Sequence, residues 1–443
     1  MANRAAILTP MAEGARRRIT RRVMPYLFTL YVIAFLDRVN VGYARLQMDR
    51  EPWFTDQVFG LGSGIFFIGY FLLEIPGGVI AEKWSARRWI ARIMISWGVV
   101  AVLMGFISSA SQFYVLRFLL GLAEAGFYPG VVVYLTHWFR SEDRAKTMAM
   151  FLAAIPTSNI IGAPISGLLL GVNWFGLAGW RWLFIIEGAP AIILGFVTLF
   201  YLTDWPSQAK WLPPEGREWI SAELEREKQA KQKLHSYGIW EALRHREIVL
   251  LTIGYFLIVT AGYGNGFWLP ALVKRLSGLS NLEVTLITTI PSCVGLLSLQ
   301  LVGWSSDRSK ERRLHTAVPM LAAAAGFLLA ALLQNNAALA VAMLCLVSAG
   351  VHGYQPGLWS LPASFLTGAA AAATFGMMNS FGSLGGFLGP YVVGYLFEAT
   401  HRSFTAGLIF LSISALSAGC FILALRPDQV KAPLPTSKAY TGD

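Results

Sequence analysis

Apolar runs of about 20 or more residues recur twelve times along this chain, and each is long enough to cross a ~30 Å hydrocarbon core as a helix. They lie near 24–47, 58–81, 89–109, 112–138, 147–171 and 181–203, and then near 247–272, 283–305, 315–334, 337–363, 370–396 and 404–425. The runs are continuous rather than alternating, which argues against a β-barrel. In lipid each backbone polar group must be satisfied within the protein, so the runs read as helices. The expected fold class is an all-α polytopic membrane protein with twelve transmembrane helices. Only 14% of the residues are charged, against about 25% in a soluble domain.

The segment before the first run is basic, with Arg16, Arg17, Arg18, Arg21 and Arg22. The run that follows is too long for a signal-peptide core and lacks a small-residue cleavage site, so it reads as an uncleaved first span. The net charge of +11 sits in alternate loops, which argues against nucleic acid as a partner. Lys83, Arg87 and Arg88 follow span two; Arg140, Arg144 and Lys146 follow span four; Arg308, Lys310, Arg312 and Arg313 follow span eight. By the positive-inside rule both termini are expected on the cytoplasmic side of the membrane. The three cysteines, Cys293, Cys345 and Cys420, fall in separate spans and suit neither a disulfide framework nor a metal site.

The only long polar segment between spans is Thr203–Glu247, within which Glu215–Leu234 has the charge pattern of a surface helix. The expected organisation is a tail over 1–22, a six-helix bundle over 23–203, a linker with an amphipathic helix over 204–246, a second six-helix bundle over 247–425 and a tail over 426–443. The halves repeat. Gly78, Glu82, Arg87 and Arg88 match Gly303, Asp307, Arg312 and Arg313 at an offset of 225 (303 minus 78). Gly126, Pro129 and Gly130 match Gly353, Pro356 and Gly357 at an offset of 227 (353 minus 126). An even number of spans per half makes the repeats parallel, related by an axis along the membrane normal. The acid followed by paired arginines can latch neighbouring helices as the halves rock, or can serve as a topology signal alone.

Charge inside the spans is concentrated in the first half. Asp37 and Arg38 lie side by side in span one, and a charge at the bilayer centre costs about 2.5–3.5 kcal/mol on insertion scales. Adjacent helical positions are ~100° apart, so the two side chains need different partners. Span four offers Arg117 and Glu124, seven positions apart on one helical face, with Gly121 and Gly126 permitting close helix approach. Two arginines near one cavity suit a carboxylate, and a buried acid beside them can act as a proton switch. A closed four-charge structural lattice is the alternative.

The second half instead carries polar and aromatic groups, of which Asn265, Trp359 and Asn379 are the strongest candidates for contact with a substrate body, together with Ser360 and, from span two, Tyr70. His352 reads as a satisfied interior histidine. The stretches Ile161–Gly167 and Gly385–Pro390 read as bend points or as close packing. The chain contains no GxxxxGK[ST], HExxH, GxSxG or GxGxxG pattern, so the machinery of an enzyme or an ATP-driven pump is not visible.

Two six-helix halves, the repeated loop motif and the charged central segment resemble the major facilitator superfamily. The stretch Phe35–Ala44 with Asp37, Arg38 and Asn40, the run Gly69–Phe71, Arg87–Met94, and Arg117 with Gly121, Glu124 and Gly126 resemble the anion–cation symporter family, with its tartrate, phthalate and hydroxyphenylacetate permeases nearest. The resemblance covers essentially the whole chain. It implies proton-coupled symport of a small organic anion by alternating access, with exchange or uniport as the alternative. It implies that Arg38 and Arg117 contact the substrate carboxylate, that Asp37 and Glu124 are the protonatable acids, and that Tyr70, Trp359, Ser360 and Asn379 line the cavity. No cofactor is implied beyond a proton gradient, and the partners implied are the anion, protons and the bilayer, with the chain a monomer. Glu82 and Ser85 stand where the family's first loop motif usually has Asp and Gly, which puts the latch at that loop in question.

Overall fold

The structure, a computed structural model, describes residues 2–232, 246–365 and 368–426. The latter part of the linker (233–245) and the tail over 427–443 lie outside the described residues. Among the described residues the regular elements are helices. The first half contains α1 (Ala2–Met48), α2 (Asp56–Lys83), α3 (Ala86–Met104), α4 (Ala110–Glu124), α5 (Phe127–Trp138), α6 (Ser141–Leu152), α7 (Ala154–Leu170) and α8 (Gly179–Tyr201). The linker helix is α9 (Pro214–Gln232). The second half contains α10 (Arg246–Ser277), α11 (Asn281–Ser309), α12 (Arg313–Leu332), α13 (Ala337–Gly353), α14 (Gln355–Phe365), α15 (Gly368–Ala399) and α16 (Thr405–Leu423).

These helices supply the twelve spans of a multi-pass membrane protein. Among the described residues ten helical stretches are long and apolar enough to cross a membrane by length and composition. The other two spans are α3, which opens on Arg87, Arg88 and Arg92, and the glycine-rich α15. The outward faces are apolar, as lipid requires: Leu168, Phe196, Phe200, Leu301 and Ile413 are exposed.

Residues 2–22 form the first part of α1, where Ala15 and Ile19 are buried and Arg16 pairs with Asp143 at the start of α6. Spans four and ten are each broken in two at the repeated glycine–proline motif. In span four the break is at Ala125–Gly126, where Gly126 adopts φ +84°, a left-handed conformation that costs an L side chain and not glycine. In span ten the break falls at Tyr354, between Gly353 and Gln355. The sequence repeat at an offset of 227 thus marks an equivalent helix break in each half.

The halves meet along three related pairs: α1 with α10, α2 with α15, and α7 with α11. Small residues set the separation. A Cβ on Gly42 would lie 2.9 Å from the Phe267 carbonyl oxygen, and one on Gly60 would lie 2.9 Å from that of Pro390. A Cβ on Gly167 would meet the Thr285 side chain of α11. All of these contacts lie at the end of the bundle opposite the chain termini. There Asp56 binds Arg45 of α1 and, at 3.2 Å, Arg402 of the second half, while the Gln57 amide donates to Glu398 at 3.2 Å. The guanidinium of Arg45 also lies 4.3 Å from the Trp268 ring centroid. At the other end, α5 packs mainly on α2 and α3, and α14 mainly on α11 and α12, each within its own half. These contacts therefore pin the halves together at that end.

The glycine-rich stretches of spans five and eleven serve close packing. Gly385 and Gly389 abut the carbonyls of Phe256 and Thr260 on α10, and Gly162 abuts Leu36. The helices run on through Pro164 and Pro390.

Candidate functional site in the cavity between the halves

A cavity of about 230 Å³ lies between the halves and is lined from both. The first half contributes Tyr31, Phe35, Arg38, Tyr70 and Tyr128 from α1, α2 and α5. The second half contributes Tyr255, Tyr263, Asn265, Trp359 and Asn379 from α10, α14 and α15. Arg38 is the only arginine or lysine among the described lining residues. The wall thus combines aromatic rings with aliphatic side chains, hydroxyl and amide groups and, among the described lining residues, a single arginine.

Arg38 occupies the centre of this arrangement. Its Nη2 donates to Glu124 of α4, and its Nη1 donates to the Tyr263 hydroxyl across the cavity at 3.2 Å. Its guanidinium lies 5.1 Å from the Tyr70 ring centroid. The ion pair lowers the cost of burying the charge, and the aromatic faces add cation–π attraction. Burial is nearly complete for both partners, with side-chain exposures of 10% and 1%.

The other charges expected at this site lie behind the cavity wall. Arg117 is fully buried at 0% exposure and does not line the cavity. Its Nε donates to the Gly62 carbonyl at 3.1 Å, and its guanidinium shares the Phe66 ring with Arg38, at 4.9 and 5.5 Å from the centroid respectively. In this structure the Arg117 guanidinium thus stands behind the cavity wall rather than in it. Helix geometry placed it on the face of Glu124, but α4 sits so close to α2 that this face is filled by the α2 backbone. A Cβ on Gly121 would fall 1.9 Å from the Phe66 carbonyl oxygen, which shows how tight that approach is.

Asp37 turns away from Arg38. Its Oδ2 accepts from Trp97 Nε1 of α3 at 2.8 Å, and its Oδ1 accepts from Asn40 Nδ2 at 3.1 Å. The ~100° step between neighbours puts one side chain toward the cavity and the other into the first half. Of the two acids, only Glu124 forms an ion pair with an arginine of the expected four-charge set. Glu124 is itself absent from the cavity lining.

Tyr70, Asn265, Trp359 and Asn379 all line the cavity, as the sequence suggested. Ser360 does not, because its hydroxyl donates to the Pro356 carbonyl of its own helix at 2.8 Å. His352 lines the cavity with Nδ1 held by the Ser348 carbonyl at 2.9 Å.

The repeated loop motif makes different contacts in the two halves. Arg312 pairs with Asp307 at 2.8 Å, and Arg313 donates to the Leu425 carbonyl at 2.8 Å. In the first half Glu82 faces His137 at 3.7 Å instead, and Arg87 faces Asp204, the first residue of the linker, at 3.6 Å. Arg88 is exposed. The departure from the usual motif has a purpose here: the Ser85 hydroxyl donates to Asp204 at 2.8 Å and caps α3 by accepting from the Arg88 amide at 3.1 Å.

Two buried acids were missed by the sequence reasoning. Glu74 of α2, at 4% exposure, accepts from Asn379 Nδ2 and, at 3.2 Å, from the Ser383 hydroxyl of α15, so it joins the halves at the cavity edge. Glu187 of α8 is 5% exposed and accepts from the Ser166 hydroxyl at 3.0 Å. The signal that singled out Asp37, an acid inside an apolar run, is present at both positions: Glu74 follows Leu73 and Glu187 follows Ile186.

Comparison with known proteins agrees with this architecture. A protein from Agrobacterium vitis named "Putative tartrate transporter" is 44% identical over 417 residues, covering 94% of this chain and 92% of that one. The quinolone resistance transporter of Acinetobacter baumannii is 38% identical over 405 residues, covering 90% of this chain and 92% of its own. The crystal structure of a D-xylose-proton symporter superimposes with a TM-score of 0.72 at 14% identity, over 91% of this chain and 97% of that chain. The model of the Major Facilitator Superfamily matches residues 27–390. With its two parallel six-helix halves around one shared cavity, the chain belongs to the Major Facilitator Superfamily.

Proposed function

We propose that this transporter carries a small organic anion by proton-coupled symport and alternating access. The observation that carries the reading is Arg38, the sole arginine or lysine among the described lining residues, placed between Glu124 of one half and Tyr263 of the other. A guanidinium in that position accepts a carboxylate from the cavity, and the aromatic and amide groups around it hold the rest of the molecule. A proton delivered to Glu124 frees Arg38 from its partner, so that proton and anion favour the same loaded state. The tartrate in the name of the Agrobacterium vitis relative supports an organic anion as substrate. Sugar acids, tartrate-like diacids and aromatic acids are the classes to screen.

We place both termini in the cytoplasm on the distribution of Lys and Arg among the loops, and on the family resemblance we take the membrane to be a bacterial cytoplasmic membrane and the chain to act as a monomer. The contacts that close the far end of the bundle are then on the outer side. The test is uptake of labelled acids into proteoliposomes. An inward proton gradient should drive accumulation above equilibrium. Uptake that follows the anion gradient alone, unaltered by a proton ionophore, would rule out symport in favour of exchange or uniport.

A further inference from the structure

We propose that Arg88 and Arg92 of α3 form a binding site for the phosphate of an anionic phospholipid, in the leaflet on the side of the chain termini. The two arginines are four positions apart, so they lie one above the other on one helical face, about 6 Å apart along the axis. Val99 and Leu103 continue that face at 44% and 46% exposure, while Ile90, Ile93, Met94, Trp97 and Ala101 fill the opposite side and are fully buried. In a membrane-spanning bundle the exposed apolar stripe of a helix lies against lipid. The two arginines therefore open the lipid-facing stripe of α3, at its headgroup end.

The second half shows that this stripe does not require charge. Its counterpart helix, α12, exposes Leu314, Val318 and Leu329. Their spacings of 4 (318 minus 314) and 11 (329 minus 318) equal those of Arg88, Arg92 and Leu103 (92 minus 88 and 103 minus 92). An apolar pair thus serves in one half where two cations stand in the other.

Neither guanidinium has an anion within the protein. Among the described residues at this end of the bundle, Arg87 faces Asp204, Arg144 pairs with Glu227 and Arg312 with Asp307, but no acid pairs with Arg88 or Arg92. Arg92 lies 4.0 Å from the Trp89 ring centroid, which holds it against the helix without neutralising it. The amides of the first turn are already taken. That of Arg87 donates to Asp204 and that of Arg88 to the Ser85 hydroxyl, so the arginine side chains, not the helix terminus, make the site. Like charges at i and i+4 repel, and the low dielectric of lipid strengthens the repulsion. A phosphodiester between them neutralises the pair, and its oxygens match the guanidinium forks. Arg92, one turn deeper, reaches back to the phosphate level along its aliphatic stem. A zwitterionic headgroup brings its own cation to the same place, so the site selects a headgroup with net negative charge.

The test is a lipid titration of the delipidated full chain in detergent, read by melting temperature. Dioleoyl phosphatidylglycerol should stabilise the wild type at lower concentration than dioleoyl phosphatidylcholine, with each arginine accounting for about fivefold of the difference. Arg88→Leu combined with Arg92→Val gives α3 the apolar pair of α12, and this variant should fold and lose the preference. Arg17→Gln, Arg18→Gln and Arg21→Gln together remove exposed cations of α1 on the same side and should leave the preference in place. Equal titration by both lipids in the wild type would overturn the proposal, and this comparison stands even if the double variant folds poorly. So would a preference that survives the double change, or one abolished by the α1 changes. Equal stabilisation of the wild type by inorganic phosphate would also overturn it, since the site would then take a soluble anion. The site does not rest on the symport reading, and failure of proton-driven uptake leaves the lipid preference untouched.

Discussion

Asn379 donates its side-chain amide to Glu74 across the boundary between the two halves, directly beside the cavity. Asn379 is therefore both a wall of the cavity and one end of a bond that alternating access must break and remake. Any ligand that draws the Asn379 amide toward itself competes with that bond.

The Glu74–Asn379 pair should be energetically coupled. Hydrogen bonds to charged groups contribute roughly 1.5–3 kcal/mol. Glu74→Gln and Asn379→Ala should each lower thermal stability, and the double variant should lose about 1–2 kcal/mol less than the sum of the two. The measurement is a double-mutant cycle on purified protein in detergent. Strict additivity would show that the pair does not act as a unit.

The two arginines should separate by phenotype. Arg38→Lys keeps a charge but gives up the planar fork that serves Glu124 and Tyr263 together, so anion binding should fall at least tenfold while the fold persists. Arg117→Met should instead destabilise by about 3–5 kcal/mol, because a buried acid loses its opposing charge. Protein of the second variant that remains folded should bind the anion with near wild-type affinity. Calorimetric binding alongside thermal melting reads both effects, and a pure binding defect in Arg117→Met would return Arg117 to the substrate site.

Gly121 and Gly376 offer a steric contrast on two helices. A Cβ at Gly121 meets the Phe66 carbonyl oxygen at 1.9 Å, whereas a Cβ at Gly376 meets nothing within 4 Å. Gly121→Ala should cost about 1–3 kcal/mol through displacement of α4 from α2. Gly376→Ala should be neutral or stabilising by about 0.5–1 kcal/mol, the helical advantage of alanine over glycine. Melting temperatures of the two variants, compared in one detergent, check the ordering.

The far-end closure should respond differently to its two partners. Arg402 is exposed at 67%, so its bond to Asp56 is worth up to about 1 kcal/mol. Arg402→Ala should shift the conformational population a few-fold toward opening at that end, read as faster thiol labelling of a cysteine placed at Gln57. Asp56→Asn removes the nearer of two carboxylates beside buried Arg45, leaving Asp49 at 3.8 Å, and should lower thermal stability more than Arg402→Ala does. Unchanged labelling in Arg402→Ala would show that the glycine contacts between α2 and α15 hold the closure alone.

The sequence by itself determined the membrane class, the twelve spans, the two parallel halves and the central place of Arg38. Those properties rest on local signals: run length against bilayer thickness, a repeated motif at a nearly constant offset, and charge inside apolar helices. The helical hairpins and the cavity between halves follow from them. What only the tertiary structure decided is which charges face the cavity. Arg38 and Arg117 carry the same signal in sequence, yet Gly121 brings α4 against α2 so tightly that Arg117 spends its donors on the α2 backbone, while Arg38 stays open to the cavity. Ser360 and Trp359 are neighbours, but only the tryptophan reaches the cavity, because the serine hydroxyl closes on its own helix. Glu74 and Glu187 carried a readable signal, but their surroundings did not, since one depends on α15 lying beside α2 and the other on α7 lying beside α8. Helical periodicity tells which residues share a face. The distance between helix axes tells whether that face meets the cavity or another backbone.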